Sequence, residues 1–129
     1  MKYLVIFLLV ALLLAAFGFK MNQSGNATYV SISAEEAKSL MDSEKGYIIL
    51  DVRAQSEYDE GHIPGAILIP NTEIKEKAES VLTDKDQLIL VYCRSGRRSK
   101  LAAQALAELG YTNIKEFGGI IDWPYDVVK

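Results

Sequence analysis

The stretch Gln87-Leu88-Ile89-Leu90-Val91-Tyr92-Cys93-Arg94-Ser95-Gly96-Arg97-Arg98-Ser99 joins three patterns in thirteen residues. Gln87–Tyr92 is an almost unbroken apolar run of β-formers, as in a strand covered on both faces by a parallel sheet's helices. Cys93 to Arg98 is polar, cationic and carries a glycine. From Ser99 to Leu109 apolar residues return at helical spacing (Leu101, Ala102, Ala105, Leu106, Leu109), and Gly110 closes the helix. Strand, short loop and helix form the unit of an α/β sheet, whose ligands bind at the carboxyl ends of strands. The Cys93 loop falls there.

The same alternation extends outward in both directions. Tyr29–Ile32 reads as a short first strand. Ser33 with Glu36 three residues on makes a capping box for a helix through Ala34, Ala37, Leu40 and Met41, and Gly46 ends the connection. Tyr47–Val52 is a second buried strand. Ser56–Glu60 fits one helical turn, Gly61-His62-Ile63-Pro64-Gly65 is turn chemistry, and Ala66–Ile69 is a strand stopped by Pro70. Thr72–Leu82 reads as a helix with Ile74, Ala78, Val81 and Leu82 on one side. Asn113–Phe117 is the last strand, after which Gly118-Gly119 turn the chain into a short segment containing Trp123. Short β-rich runs alternating with helical ones predict an α/β domain with a mainly parallel sheet.

The 129 residues allow one such domain, at a net charge of −3. Residues 1–20 hold two lysines and no acid, leaving twelve basic and seventeen acidic residues beyond them. A general basic footprint for nucleic acid is absent. With a single cysteine, neither an intrachain disulfide nor a cysteine-rich zinc site can form. Residues 3–19 (YLVIFLLVALLLAAFGF) form an uncharged apolar run behind Lys2. Two readings stay open for residues 1–20: a signal peptide cleaved after Gly18, or an uncleaved N-terminal hydrophobic helix anchoring the chain in a membrane. Residues 21–28 read as a polar linker and 29–129 as the domain. Either way the expected location is exported: periplasmic or otherwise extracytoplasmic.

A lone cysteine is usually a small core residue. Cys93 has a different setting. Three arginines and a glycine occupy its next five positions, and basic residues suit a helix N-terminus poorly unless an anion is expected there. Free backbone N–H groups, the positive end of the helix dipole and guanidinium forks would together favour a thiolate nucleophile.

Asp51-Val52-Arg53 with Glu57-Tyr58, Gly61 to Ala66 (GHIPGA), Val91 to Ser99 (VYCRSGRRS), Gly110-Tyr111 and Gly118-Gly119-Ile120 with Trp123 resemble the rhodanese (sulfurtransferase) domain, in the family's order and spacing. The resemblance implies a five-stranded, mainly parallel sheet with helices on both faces, in a single-domain exported type. It implies Cys93 as nucleophile and Cys93–Arg98 as the active loop. Cys93 would take the outer sulfur of thiosulfate or a similar donor, become a persulfide, and pass the sulfur to a thiol or cyanide acceptor. Arg94, Ser95, Gly96, Arg97, Arg98 and Ser99 would bind the substrate through N–H groups and guanidiniums. Asp51 and Arg53 at a strand end, and His62 in a turn, are expected as structural support. No metal and no organic cofactor is implied.

Two rival functions are weighed. A cysteine phosphatase needs an arginine six positions after its cysteine; here Ser99 stands there and Arg98 falls one short. A binding module remains open, either a persulfide carrier delivering sulfur to a protein thiol or a redox-sensing thiol. The latter would have no second cysteine in the chain to resolve it.

Overall fold

The structure, a computed structural model, describes residues 28–129. The leader expected over residues 1–20 and almost all of the linker expected over 21–28 lie outside the described residues. Five parallel strands form one sheet in the order β1-β5-β4-β2-β3. In chain order these are β1 (Val30–Ser31), α1 (Ala34–Ser43), β2 (Ile48–Asp51), α2 (Gln55–Glu60), β3 (Ile67–Leu68), a 3-10 turn at Asn71–Glu73 leading into α3 (Ile74–Val81), β4 (Ile89–Cys93), α4 (Arg97–Glu108), β5 (Ile114–Gly119) and a 3-10 turn at Ile120–Asp122. The Ser33 cap of α1 forms as expected, its hydroxyl accepting from Glu36 N at 3.0 Å.

β4 is central and buried at every position. Its side chains alternate between two cores, as the two-residue period of a strand requires. Ile89, Val91 and Cys93 face the α3–α4 side with Ile74, Ala78, Ala102 and Leu106. Leu90 and Tyr92 face the α1 side with Ala37, Ile63, Phe117 and Trp123. Cys93 thus ends the row that runs beneath α4.

Three sequence expectations need correction. The buried stripe of α4 is Ser99, Ala102, Ala103, Leu106 and Ala107, whereas Leu101 is 56% exposed. The helix begins at Arg97, and its stripe opens on a serine directed at the site, which puts Leu101 on the outer face. Val81, expected beside Ala78, is 50% exposed at the end of α3. Gly118 and Gly119 belong to β5 instead of ending it. Between Val91↔Glu116 and Cys93↔Gly119 the β5 strand advances one residue more than β4, a bulge at which Gly118 takes φ +87°.

The carboxyl ends of β2 and β4 are locked together by a buried polar bracket. Asp51, fully buried, accepts from Arg53 N at 3.0 Å, from Arg53 Nη2 at 2.7 Å and from the Tyr92 hydroxyl at 2.7 Å. Arg53 Nη2 also reaches Gly61 O at 2.7 Å, and Tyr92 Oη accepts from Ile63 N at 3.0 Å. The bracket fixes the residue before Cys93 to the 61–65 turn. Removing one partner of a buried ion pair costs about 3–5 kcal/mol, because the other charge stays buried. Asp51→Ala is therefore expected to lower unfolding stability by about that much. Urea unfolding checks it, and a midpoint matching the unchanged protein would show that the bracket carries no stability.

Candidate active site

The loop after β4 closes on the cysteine that ends the strand. Gly96, at φ +107°, starts α4 and directs its N–H at Cys93 Sγ, 3.0 Å away. Only glycine takes that conformation without strain. The Ser99 hydroxyl lies 3.4 Å from the same sulfur. Burial pushes the Cys93 thiol up, but the Ser99 hydroxyl and the N–H groups of Ser99, Gly96 and Ser95 outweigh it and hold the thiol below its ordinary value. These donors, at the amino end of a 12-residue helix, stabilise a negative sulfur. Cys93 is 1% exposed, so the sulfur sits at the floor of a cup rather than on its rim.

The expected loop residues surround this sulfur in different roles. Ser95 and Gly96 contribute backbone. Arg94 and Arg97 are exposed and have no ion-pair partner among the described residues. Arg98 grips Glu57 in a two-pronged bond, Nη1 to Oε1 at 2.6 Å and Nη2 to Oε2 at 3.0 Å. Its guanidinium thus ties the loop to α2. Among the described residues Asp51 and Arg53 make no hydrogen bond with the loop; Asp51 reaches it only through Tyr92, whose hydroxyl it accepts from. His62 stacks its ring on Tyr58 with centroids 3.7 Å apart and sets its Nδ1 2.9 Å from Tyr58 O, whereas the sulfur's hydrogen-bond partners are Ser99 and Gly96.

Sequence reasoning assigned no role to three features here. Glu116 is 2% exposed and aims Oε1 at Ser99 Oγ, 2.7 Å away. Its signal was a carboxylate in step with Ile114 on the inward face of the last strand. Glu57 was visible only as part of a motif. Gly119 has a packing role: a Cβ there would stand 1.9 Å from Arg94 O, so β5 can run under the loop only as bare backbone. A hollow of 630 Å³ borders the loop, lined by Tyr29, Ser95, Gly96, Arg97, Lys100, Leu101 and Gln104. A groove of 410 Å³ between α1 and the Trp123–Asp126 segment touches no residue of the loop.

The family of rhodanese-like domains matches residues 33–124. The chain belongs to the rhodanese family. Thiosulfate sulfurtransferase PspE of Escherichia coli (strain K12) is 40% identical over 80 residues, which cover 62% of this chain and 77% of PspE. The putative sulfur carrier protein YrkF of Bacillus subtilis (strain 168) is 38% identical over 104 residues, 79% of this chain and 55% of YrkF. A solved E. coli rhodanese with anions superposes with a TM-score of 0.61 at 38% identity, covering 64% of this chain and 98% of that one. A rhodanese-related protein of Thermoplasma volcanium gives 0.67 at 35%, covering 78% and 98%. In class this rhodanese domain is a sulfurtransferase.

The Glu57–Arg98 pair has a pH signature. The Arg98 guanidinium, aided by the Ala54 N–H and opposed by burial, lowers the Glu57 carboxyl from its ordinary 4.5 to about 2. A depressed carboxyl contributes stability above its unfolded value and loses that contribution as pH falls through the folded one. With Glu57 25% and Arg98 36% exposed, solvent screening keeps the contribution small. Glu57→Gln should therefore lose less stability than the unchanged rhodanese between pH 4.5 and about 2. Paired acid-unfolding curves of equal slope over that range would remove the pair from the stability of the loop.

Proposed function

We propose that this rhodanese is a thiosulfate sulfurtransferase that works through a persulfide on Cys93. One observation supports this most: the only cysteine lies under an N–H donor at 3.0 Å, at the amino end of α4 and beside exposed cations. The Cys93 thiolate attacks the outer sulfur of thiosulfate. Its S–S bond breaks, sulfite departs with the bonding pair, and a persulfide remains on Cys93. An acceptor nucleophile (cyanide, or a thiol) then takes the outer sulfur and leaves the thiolate behind, a two-stage exchange with a covalent intermediate. The N–H groups of the loop meet the charge on the terminal sulfur. Arg94 and Arg97, exposed at the rim, attract the sulfonate end. A loop one residue shorter than a phosphatase's suits a single added sulfur better than a tetrahedral phosphoryl group, and Arg98 is held by Glu57. Mercaptopyruvate fits the arginine-rich rim less well than thiosulfate. The scheme calls for neither metal nor organic cofactor.

A second reading shares the same persulfide. The 630 Å³ hollow beside the loop combines Arg97 and Lys100 with Leu101, 56% exposed, a surface fit for a protein acceptor. Rapid transfer to one protein thiol, with slow transfer to every small acceptor, would favour this carrier role. Under either reading the domain works outside the cytosol, released from its leader or held by it at the membrane; the N-terminal sequence of the mature protein decides between the two.

Intact mass after thiosulfate treatment should rise by one sulfur atom and return on adding cyanide, while Cys93→Ala shows neither change. An unaltered mass in the unchanged protein would refute the reading. Arg97→Ala is expected to raise KM for thiosulfate with little change in kcat, by a factor that shrinks as salt is added. Steady-state kinetics at two ionic strengths check this, and an unmoved KM would take Arg97 out of donor binding.

A further inference from the structure

Beneath the nucleophile lies a buried carboxylate that the transfer scheme leaves without a task. Glu116 is 2% exposed, and three donors converge on it: Gly118 N–H on Oε1 at 2.7 Å, Ser31 Oγ on Oε2 at 3.0 Å, and Ser99 Oγ on Oε1 at 2.7 Å. Ser99 is itself fully buried and stands between this carboxylate and Cys93 Sγ, 3.4 Å from the sulfur. No cation forms an ion pair with Glu116 among the described residues.

A hydroxyl has one proton to give. Of the acceptors that face Ser99 Oγ, Glu116 Oε1 at 2.7 Å is nearer than Gly96 O at 3.0 Å and Gly118 O at 3.4 Å, and a proton between Ser99 and Glu116 can belong to either oxygen. The same heavy atoms therefore accommodate two proton arrangements. In the first, Glu116 is ionised, Ser99 donates to it, and the Cys93 thiol donates to Ser99. In the second, Glu116 carries the proton and donates to Ser99, and the Ser99 hydroxyl donates to the Cys93 thiolate. The thiolate form so receives a donor at Oγ without a second negative charge beneath it. Two like charges at this range would each disfavour the other's ionised form.

We infer that Glu116 is a positioning residue that, through Ser99, takes up the proton of the Cys93 thiol and gives it back. Proton and charge balance at each step. The S–H bond of Cys93 breaks as an O–H bond forms on Ser99, and the former Ser99 proton moves to Glu116 Oε1. The cup keeps one negative charge throughout, moved from the carboxylate to the sulfur. The other ionisable groups on the loop, α4 and β5 near this chain of bonds are Arg94, Arg97, Arg98, Lys100 and Lys115. Of these only Arg98 forms an ion pair among the described residues, with Glu57. α1, which also packs on β5, brings Glu35, Glu36, Lys38 and Asp42, with Lys38 bound to Asp42 at 2.6 Å. The inference rests on Cys93 being the nucleophile, but not on thiosulfate being the donor.

The test is the pH profile of Cys93 alkylation by iodoacetamide, a reaction of the thiolate that needs no sulfur donor. If one proton is shared in this way, the rate in the unchanged protein should rise in two steps separated by a plateau. Glu116→Gln keeps an acceptor for Ser99 and Gly118 but cannot take a proton. It should give one step, with its midpoint about one unit or more below the upper step of the unchanged protein, since the like charge is gone. Ser99→Ala cuts the link and should also give a single step. A Glu116→Gln profile of unaltered shape and midpoint, with rates scaled equally at all pH values, would mean that Glu116 only props the loop, and the inference would fall. If Glu116→Gln does not fold, Ser99→Ala decides: two steps surviving in it would overturn the relay. Failure of the transfer reading would appear elsewhere, as absence of mass gain with thiosulfate, and would leave these profiles untouched.

Discussion

The contact between Gly96 N–H and Cys93 Sγ, at 3.0 Å, sets the terms for the rest of the site. To bring a main-chain donor back onto the last residue of β4, the chain must reverse in three residues, which Gly96 permits at φ +107°. The reversal presses Arg94 O down onto β5, and β5 answers with a bulge and a residue that has no side chain. The loop's shape is therefore set jointly by two strands and one helix. A thiolate in a low-polarity interior would be costly by itself. Here donors at the start of α4 offset that cost and hold the thiol below its ordinary value despite its burial.

Support for the loop is layered outward. Tyr92 fixes the strand just before the cysteine by bonding Asp51 and the 61–65 turn. Arg98 fixes the start of α4 by gripping Glu57 on α2. Both ties cross from β4 or α4 to the β2–α2 region, so the two strand ends that flank the cup are joined on that side. The arginines then divide by task. Arg53 is buried and structural, Arg98 is a tie, and Arg94 and Arg97 keep their charge at the rim.

The fold was legible because period and punctuation agreed: apolar runs at Tyr47–Val52 and Gln87–Tyr92 became the central strands, and the Ser33 capping box formed as read. The strand–loop–helix junction at Cys93 was legible because three arginines and a glycine in the next five positions do not read as core, although the cysteine itself is buried. What escaped depends on register. Leu101 looked buried because helical periodicity fixes spacing but not which face meets the sheet, and Ser99 took the inward position. Gly118 and Gly119 read as a turn, since glycine pairs usually are one, yet here they let a strand pass under a loop. Glu116 went unnoticed because a charge in a strand reads as solvated until its neighbours across 17 and 85 residues are known. The partnership of Glu57 with Arg98, 41 residues apart, is likewise a product of the folded state.

The enclosure of the sulfur, 1% exposed, also bears on which chemistry the cup turns away. A bare sulfur atom adds little bulk, whereas a mixed disulfide would bring a whole carbon chain through the same opening. In an oxidising milieu an unpartnered thiolate is ordinarily captured by passing low-molecular-weight disulfides. Steric enclosure would slow that side reaction more than the transfer of a single sulfur atom. Kinetic protection of this kind needs no reductant, because the shape of the entrance itself does the sorting.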